Sequence, residues 1–152
     1  LVEVAVRASS PDINDPLTAI NAVDRLGAAL CDLVLCRLPT GAVIEESRPI
    51  LLVPGVNYDR FVDAMFLMIR QIGSGSTAAL IRILDGLTGV VTVERNPSGS
   101  VRLQRYADLV LDDANWDIAS PAGLDDIRLP HRGFVAMRER GSFAHLEAMS
   151  TA

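Results

Sequence analysis

The chain has 152 residues, 49% hydrophobic and 22% charged, which is enough for one ordinary domain and too apolar for intrinsic disorder. A formal net charge of -5 argues against nucleic acid as a partner, because its binders need a basic patch. All 14 basic residues are arginine, so no lysine exists for a Schiff base or a phosphate-binding loop.

The first seven residues, Leu1 to Arg7, already carry apolar periodicity and lack an initiator Met. They read as part of a longer protein, with residues 1–9 the tail of a helix begun upstream. Ser10 to Pro16 breaks that helix. Asp15 suits an N-cap and Pro16 the first helical position, and the helix they open runs to about Arg37. Its apolar stripe is Leu17, Ile20, Val23, Leu26, Leu30 and Leu33, with Gly27 as a candidate close crossing. Residues 38–56 are irregular, apart from an apolar run, Ile50 to Val53, between Pro49 and Pro54. That run predicts an edge strand, paired either with Ala42-Val43-Ile44 or with a segment outside the chain.

Asn57 is the expected cap of the next helix, with Val56 and Phe61 as a hydrophobic staple. Gly73 ends it, and Arg70 lies in its last turn. After the short link Ser74-Gly75, Ser76 caps a neighbouring antiparallel helix with Leu80, Leu84 and Leu87 inside. Asn96 to Gly99 reads as a turn, and Ser100 as the cap of a helix ending near Trp116. Ser120 to Gly123 reads as a loop. Residues 124–152 have weak periodicity and suggest short helices. These elements predict a mainly α fold: a helical bundle of five to six helices with one short strand or hairpin. It forms a single soluble domain over residues 1–152, with 120–152 as a C-terminal extension.

The mean hydropathy of +0.28 is high for a free-standing domain. Asp or Arg nonetheless interrupts every long apolar run, and none approaches the ~20 residues of a membrane span. The apolar excess belongs either to an Ala/Leu/Val-rich core or to surface meant for a partner segment or subunit.

Chemistry-bearing constellations are sparse. Cys31 and Cys36 are five apart in one helix, on different sides, and read as reduced thiols. His131 and His145 have no metal-ligand spacing, and no nucleophile motif is present, so neither a metal, a cofactor nor an enzymatic activity is expected. The pairs Asp59/Asp63 and Asp108/Asp112 read as solvated faces, the second beside Arg105 as an ordinary surface ion pair. The Asn14-Asp15 loop, with the Ser10 and Thr18 hydroxyls close in sequence, has two readings. One is a cation or polar-ligand site; the other is helix capping.

Ser10-Pro11-Asp12-Ile13-Asn14-Asp15-Pro16-Leu17-Thr18-Ala19, followed by Asp24-Arg25-Leu26, resembles the A-x-S-P-x-I-N-D-P-x-T-A and D-x-L pattern of a bacterial family. That family comprises predicted integral membrane proteins of unknown function, DUF twenty-two-fifty-four. Phe61 to Phe66 with Ile69-Arg70-Gln71-Ile72-Gly73 is similar to a second segment, F-x-x-L-x-x-x-A-F-x-x-I-R-Q-Y-G, with Ile72 in the aromatic place. Ala79 to Leu84 resembles a third. The resemblance covers residues 1 to about 115. It implies membrane-spanning helices elsewhere in the parent protein, in the bacterial inner membrane, and a soluble region of which this chain is part. It implies no activity.

The expected function is therefore a non-catalytic cytoplasmic assembly or regulatory domain. Its expected partners are the protein's own membrane-spanning region and further copies of itself. The alternative is a ligand- or cation-sensing module. Its candidate residues are Ser10, Asn14, Asp15 and Thr18, with Arg70 and Gln71 from the second motif.

Overall fold

A computed structural model describes residues 2–8, 10, 15–36, 42–45, 48–52, 58–73 and 75–150. Seven helices and a two-stranded hairpin occur among them: α1 Val2–Ala8, α2 Pro16–Leu35, β1 Ala42–Glu45, β2 Arg48–Leu52, α3 Tyr58–Gly73, α4 Thr77–Val93, α5 Pro97–Asp117, α6 Pro121–Arg140 and α7 Ser142–Ser150. The fold is mainly α, with one helix more than the upper expectation.

Helix α4 is the centre of the bundle and packs against α2, α3, α5 and α6. Its wide apolar stripe explains why: Leu80, Leu84, Leu87 and Val90 are all 0% exposed. A stripe facing neighbours on several sides is what a central helix needs. Three pairings give α2 and α4 the same direction. Asp24 faces Arg82 at 3.9 Å, Gly27 faces Gly86, and Cys31 faces Gly89. Gly27 is indeed a close crossing: a Cβ there would lie 3.2 Å from the Gly86 Cα. Helices α4 and α6 also start side by side, with Thr77 close to Gly123.

Helix starts follow simple local chemistry. Asp15, Ser76, Asn96 and Ser120 are N-caps, and each accepts a hydrogen bond from a backbone N–H two or three residues on. Pro follows three of them in the first turn, where its missing N–H costs nothing. Two expectations are corrected here. Asn96-Pro97 is not a turn ahead of a Ser100 cap but the start of α5 itself. Ser120-Pro121 likewise starts α6 rather than lying in a loop. Tight connections need a glycine at two positions, Gly75 with φ +75° and Gly141 with φ +84°. The expected Asn57 cap and its Val56 and Phe61 staple lie outside the residues or side chains described.

The C-terminal part also departs from expectation. Instead of short helices, α6 runs for 20 residues through Pro130. An interior proline removes a helix hydrogen bond at a cost of ~3 kcal/mol. Burial of Ile127 and Phe134, both 0% exposed, offsets that cost by anchoring α6 on each side of Pro130. The helix α7 folds back on α6, over Gly133, where a Cβ would meet the His145 ring at 3.1 Å.

The strand expectation resolves to its first alternative. β1 pairs antiparallel with β2, with Ala42 opposite Leu52, Val43 opposite Leu51, Ile44 opposite Pro49 and Glu45 opposite Arg48. The register slips between Val43 and Ile44, which leaves Ile50 as the extra residue of a bulge in β2. Among the described residues the hairpin touches no helix, and Leu51 is 55% exposed.

Candidate functional site

The polar side chains between helices are paired with one another. On α3, Asp63 and Arg70 are two turns apart; on α5, so are Tyr106 and Asp113. The matching spacing puts the two helices in parallel register and makes a ladder. The Arg70 guanidinium donates through Nε and Nη2 to the two Asp113 carboxylate oxygens, each at 2.6 Å. Both side chains are 26% exposed, so this bidentate pair is partly shielded from solvent. One rung away, the Tyr106 hydroxyl donates to Asp63, and Arg102 Nη1 donates to the same carboxylate at 3.1 and 3.2 Å. The Phe66 ring stacks on Tyr106 with centroids 4.6 Å apart.

This packing sets the ionisation of the rung. The Tyr106 hydroxyl is pushed up to about 12, first by burial and then by its hydrogen bond to Asp63 and the charge there. The Asp63 carboxyl is held below the ordinary carboxylate value, chiefly by the Tyr106 hydroxyl and then by Arg102. An unfolded tyrosine ionises near 10.0, so the stabilisation from neutral Tyr106 is intact below that pH. It is lost as pH rises from there through about 12. For Asp63 the sign is opposite: its contribution is present at neutral pH and lost as acid protonates it below the ordinary carboxylate range. In a Tyr58→Phe background, where Tyr106 is the sole tyrosine, the phenolate absorbance is expected to rise with a midpoint near 12. A midpoint near 10.0 would mean that the rung is open to water.

Among the described side chains, the sequence-predicted Ser10, Asp15, Thr18 and Arg70 do not form one cluster. Asp15 and Thr18 meet at the start of α2: Asp15 Oδ1 accepts from the Thr18 amide at 3.1 Å, and Oδ2 from its hydroxyl at 2.6 Å. Those two bonds hold the solvent-accessible Asp15 carboxyl below its ordinary pKa, the hydroxyl contributing most. Ser10 is engaged elsewhere, its hydroxyl donating to the Arg7 carbonyl at 2.8 Å. The Asp15 amide donates to the Ala8 carbonyl at 2.8 Å, which ties the end of α1 to the start of α2. Arg70 belongs to the α3–α5 ladder. Asn14 and the Gln71 side chain lie outside what is described. Asp15→Asn is expected to leave thermal stability almost unchanged, since Asn caps as well. Asp15→Ala is expected to lower the midpoint by roughly 2–4 °C. A loss of function in Asp15→Asn at unchanged stability would mean that the charge itself matters.

Two histidines are engaged between helices as well. His131 Nε2 lies 2.9 Å from Asp108 Oδ1, joining α6 to α5. Asp108 also accepts from Gln104 at 2.7 Å, so its partners are these two groups rather than the Arg105 expected from spacing. His145 Nδ1 donates to the Gly133 carbonyl at 2.8 Å. Burial pushes the Cys31 thiol up, away from reactivity. Among the described residues no group of three or more His, Cys, Asp or Glu could hold a metal. An open depression of about 570 Å³ lies beside Leu111 and Leu129, with Asp125, Arg128 and His131 at its rim. Of the polar groups that line it, Arg128 pairs with Asp125 at 3.0 Å and His131 with Asp108, while Asp126 and Arg132 complete the lining.

These features define a helical bundle whose polar groups connect helices. The chain belongs to the DUF2254 family, described as predicted membrane proteins, whose profile matches residues 1–89. It is 30% identical over 120 residues to the uncharacterised protein Rv1290c of Mycobacterium tuberculosis and to Mb1321c of Mycobacterium bovis. Those matches cover 78% of this chain and 23% of the relatives, so the chain spans only a minor part of their length. No solved structure matches. Among the described residues no helix is long and apolar enough to cross a membrane.

Proposed function

We propose that this region is a non-catalytic cytoplasmic assembly or regulatory module of a bacterial inner-membrane protein. The observation that carries the reading is the α3–α5 ladder. Arg70, Asp113, Asp63, Arg102 and Tyr106 are the most organised polar groups in the bundle, and they are turned toward each other. Groups used this way hold helices in register; they leave little to act on a substrate. The anchoring of α1 adds a regulatory route. It packs on both α2 and α3 and is bonded to the α2 cap, so a displacement of α1 would be passed to both helices.

The sensing alternative at Asn14 and Asp15 has less support, because both Asp15 carboxylate oxygens already accept from Thr18. The expected partners are the membrane-spanning part of the same protein and further copies of this region. Sedimentation equilibrium at micromolar concentration tests the assembly reading. Reversible self-association is the expected result, and a strict monomer over the whole range contradicts it.

A further inference from the structure

We infer that α7 is an exchangeable arm: it seats on α6 of its own chain, and with Gly141 straightened it seats on α6 of a second copy. The inference rests on the assembly reading above and assigns it a contact. Among the described residues α7 touches α6 and no other element, and it leaves Leu146 exposed, so a single surface holds it. That surface is specific. Gly133 forms a notch on α6 that the Met149 sulfur and the His145 ring fill, 2.9 and 3.1 Å from where a Cβ would stand. His145 Nδ1 also donates to the Gly133 carbonyl at 2.8 Å. The α7 of a second copy has the same sequence and meets the same notch with the same contacts, so exchange gives up nothing at the seat.

The hinge is one residue. Gly141 alone separates α6 from α7, at φ +84° and ψ -171°, a conformation essentially confined to glycine. On either side of it the backbone already has helical hydrogen-bond spacing. The Gly141 amide donates to the Met137 carbonyl at 2.9 Å, and the His145 amide donates to the Gly141 carbonyl at 3.2 Å. Rotation at Gly141 to helical dihedrals therefore joins α6 and α7 into one helix. It also gives the amides that begin α7 the acceptors one turn back that a helix start lacks. A short hinge of this kind invites exchange between copies. Symmetry then fixes the partner. Gly133 and Met149 stand eight residues on either side of Gly141 and face each other. An antiparallel pair of straightened helices that keeps this facing has its two-fold axis at Gly141, and it fills both notches at once.

Gly141→Ala tests the arm, with Gly75→Ala as its control. At neither position would an added Cβ meet another atom within 4 Å, so both penalties lie in the backbone alone, at φ +84° and +75°. Alanine at position 141 disfavours the folded-back arm and not the straight helix. Its dimerisation constant, read by sedimentation equilibrium, is expected to rise at least about tenfold over the wild type, with the helical circular dichroism unchanged. Gly75→Ala, in the α3–α4 connection, is expected to leave that constant as it was. Adding Gly133→Leu to Gly141→Ala fills the notch and is expected to abolish the dimer. An unchanged constant in Gly141→Ala, an equal rise in Gly75→Ala, or a dimer that survives Gly133→Leu overturns the inference. If the wild type associates and Gly141→Ala associates no more tightly, the assembly reading stands and the arm is not its contact. If the wild type is a strict monomer and Gly141→Ala dimerises through the notch, the arm stands and the assembly reading fails.

Discussion

Phe134→Ala is expected to destabilise the protein by about 3–5 kcal/mol, as deletion of a fully buried aromatic ring does. Phe134 is 0% exposed and belongs to the same apolar cluster as Leu84 on α4 and Leu103 on α5. Its loss would open a cavity where α6 meets the bundle, on one of the two buried residues, Ile127 and Phe134, that flank Pro130. Trp116→Ala supplies the control. Trp116 is a larger ring but 88% exposed, at the end of α5, and its removal is expected to change stability by less than about 0.5 kcal/mol. Urea denaturation of the two variants separates the cases. A cost below about 1 kcal/mol for Phe134→Ala would mean that α6 does not share the core.

The second large effect is at the α2–α4 crossing. Gly27→Leu is expected to cost about 3 kcal/mol, because the side chain has to displace backbone rather than flexible atoms. The nearest obstacle is the Gly86 Cα, 3.2 Å from a Cβ at position 27. The reciprocal distance, from a Cβ at position 86 to the Gly27 Cα, is 3.6 Å, an ordinary contact. Alanine in a helix gains up to ~1 kcal/mol over glycine. Gly86→Ala should therefore be neutral or stabilising, while Gly27→Ala loses most of that gain to the tighter contact. Chemical denaturation of the three variants reads the order directly. Equal tolerance of Gly27→Leu and Gly86→Ala would place the helices further apart than 3.2 Å allows.

Local signals were legible in the sequence and long-range ones were not. Asp15-Pro16 and Ser76 announce helix starts because a capping oxygen and a preset φ act within one turn. Asn96-Pro97 and Ser120-Pro121 use the same grammar, and a consistent reading of Asn or Ser before Pro finds them too. Helix α6 was obscured because Pro130 and Gly133 interrupt its pattern, and the burial of Ile127 and Phe134 that compensates is a long-range contact. The resemblance located the family, whose profile matches residues 1–89 and whose mycobacterial relatives match over 120 residues. The ladder had no sequence signature. Arg70 and Asp113 are 43 residues apart, as are Asp63 and Tyr106, and spacing arguments operate over a few turns of one helix. The repeated separation of 43 is visible only once α3 and α5 are known to run in parallel register.

The central claim is that this region assembles a membrane protein rather than catalysing a reaction. Subunit counting by single-molecule photobleaching tests it most directly, on a full-length member of the family in lipid bilayers with and without the segment that corresponds to this chain. The account predicts more than one copy per particle when the region is present and a single copy when it is removed. A count that does not change on removal would contradict it.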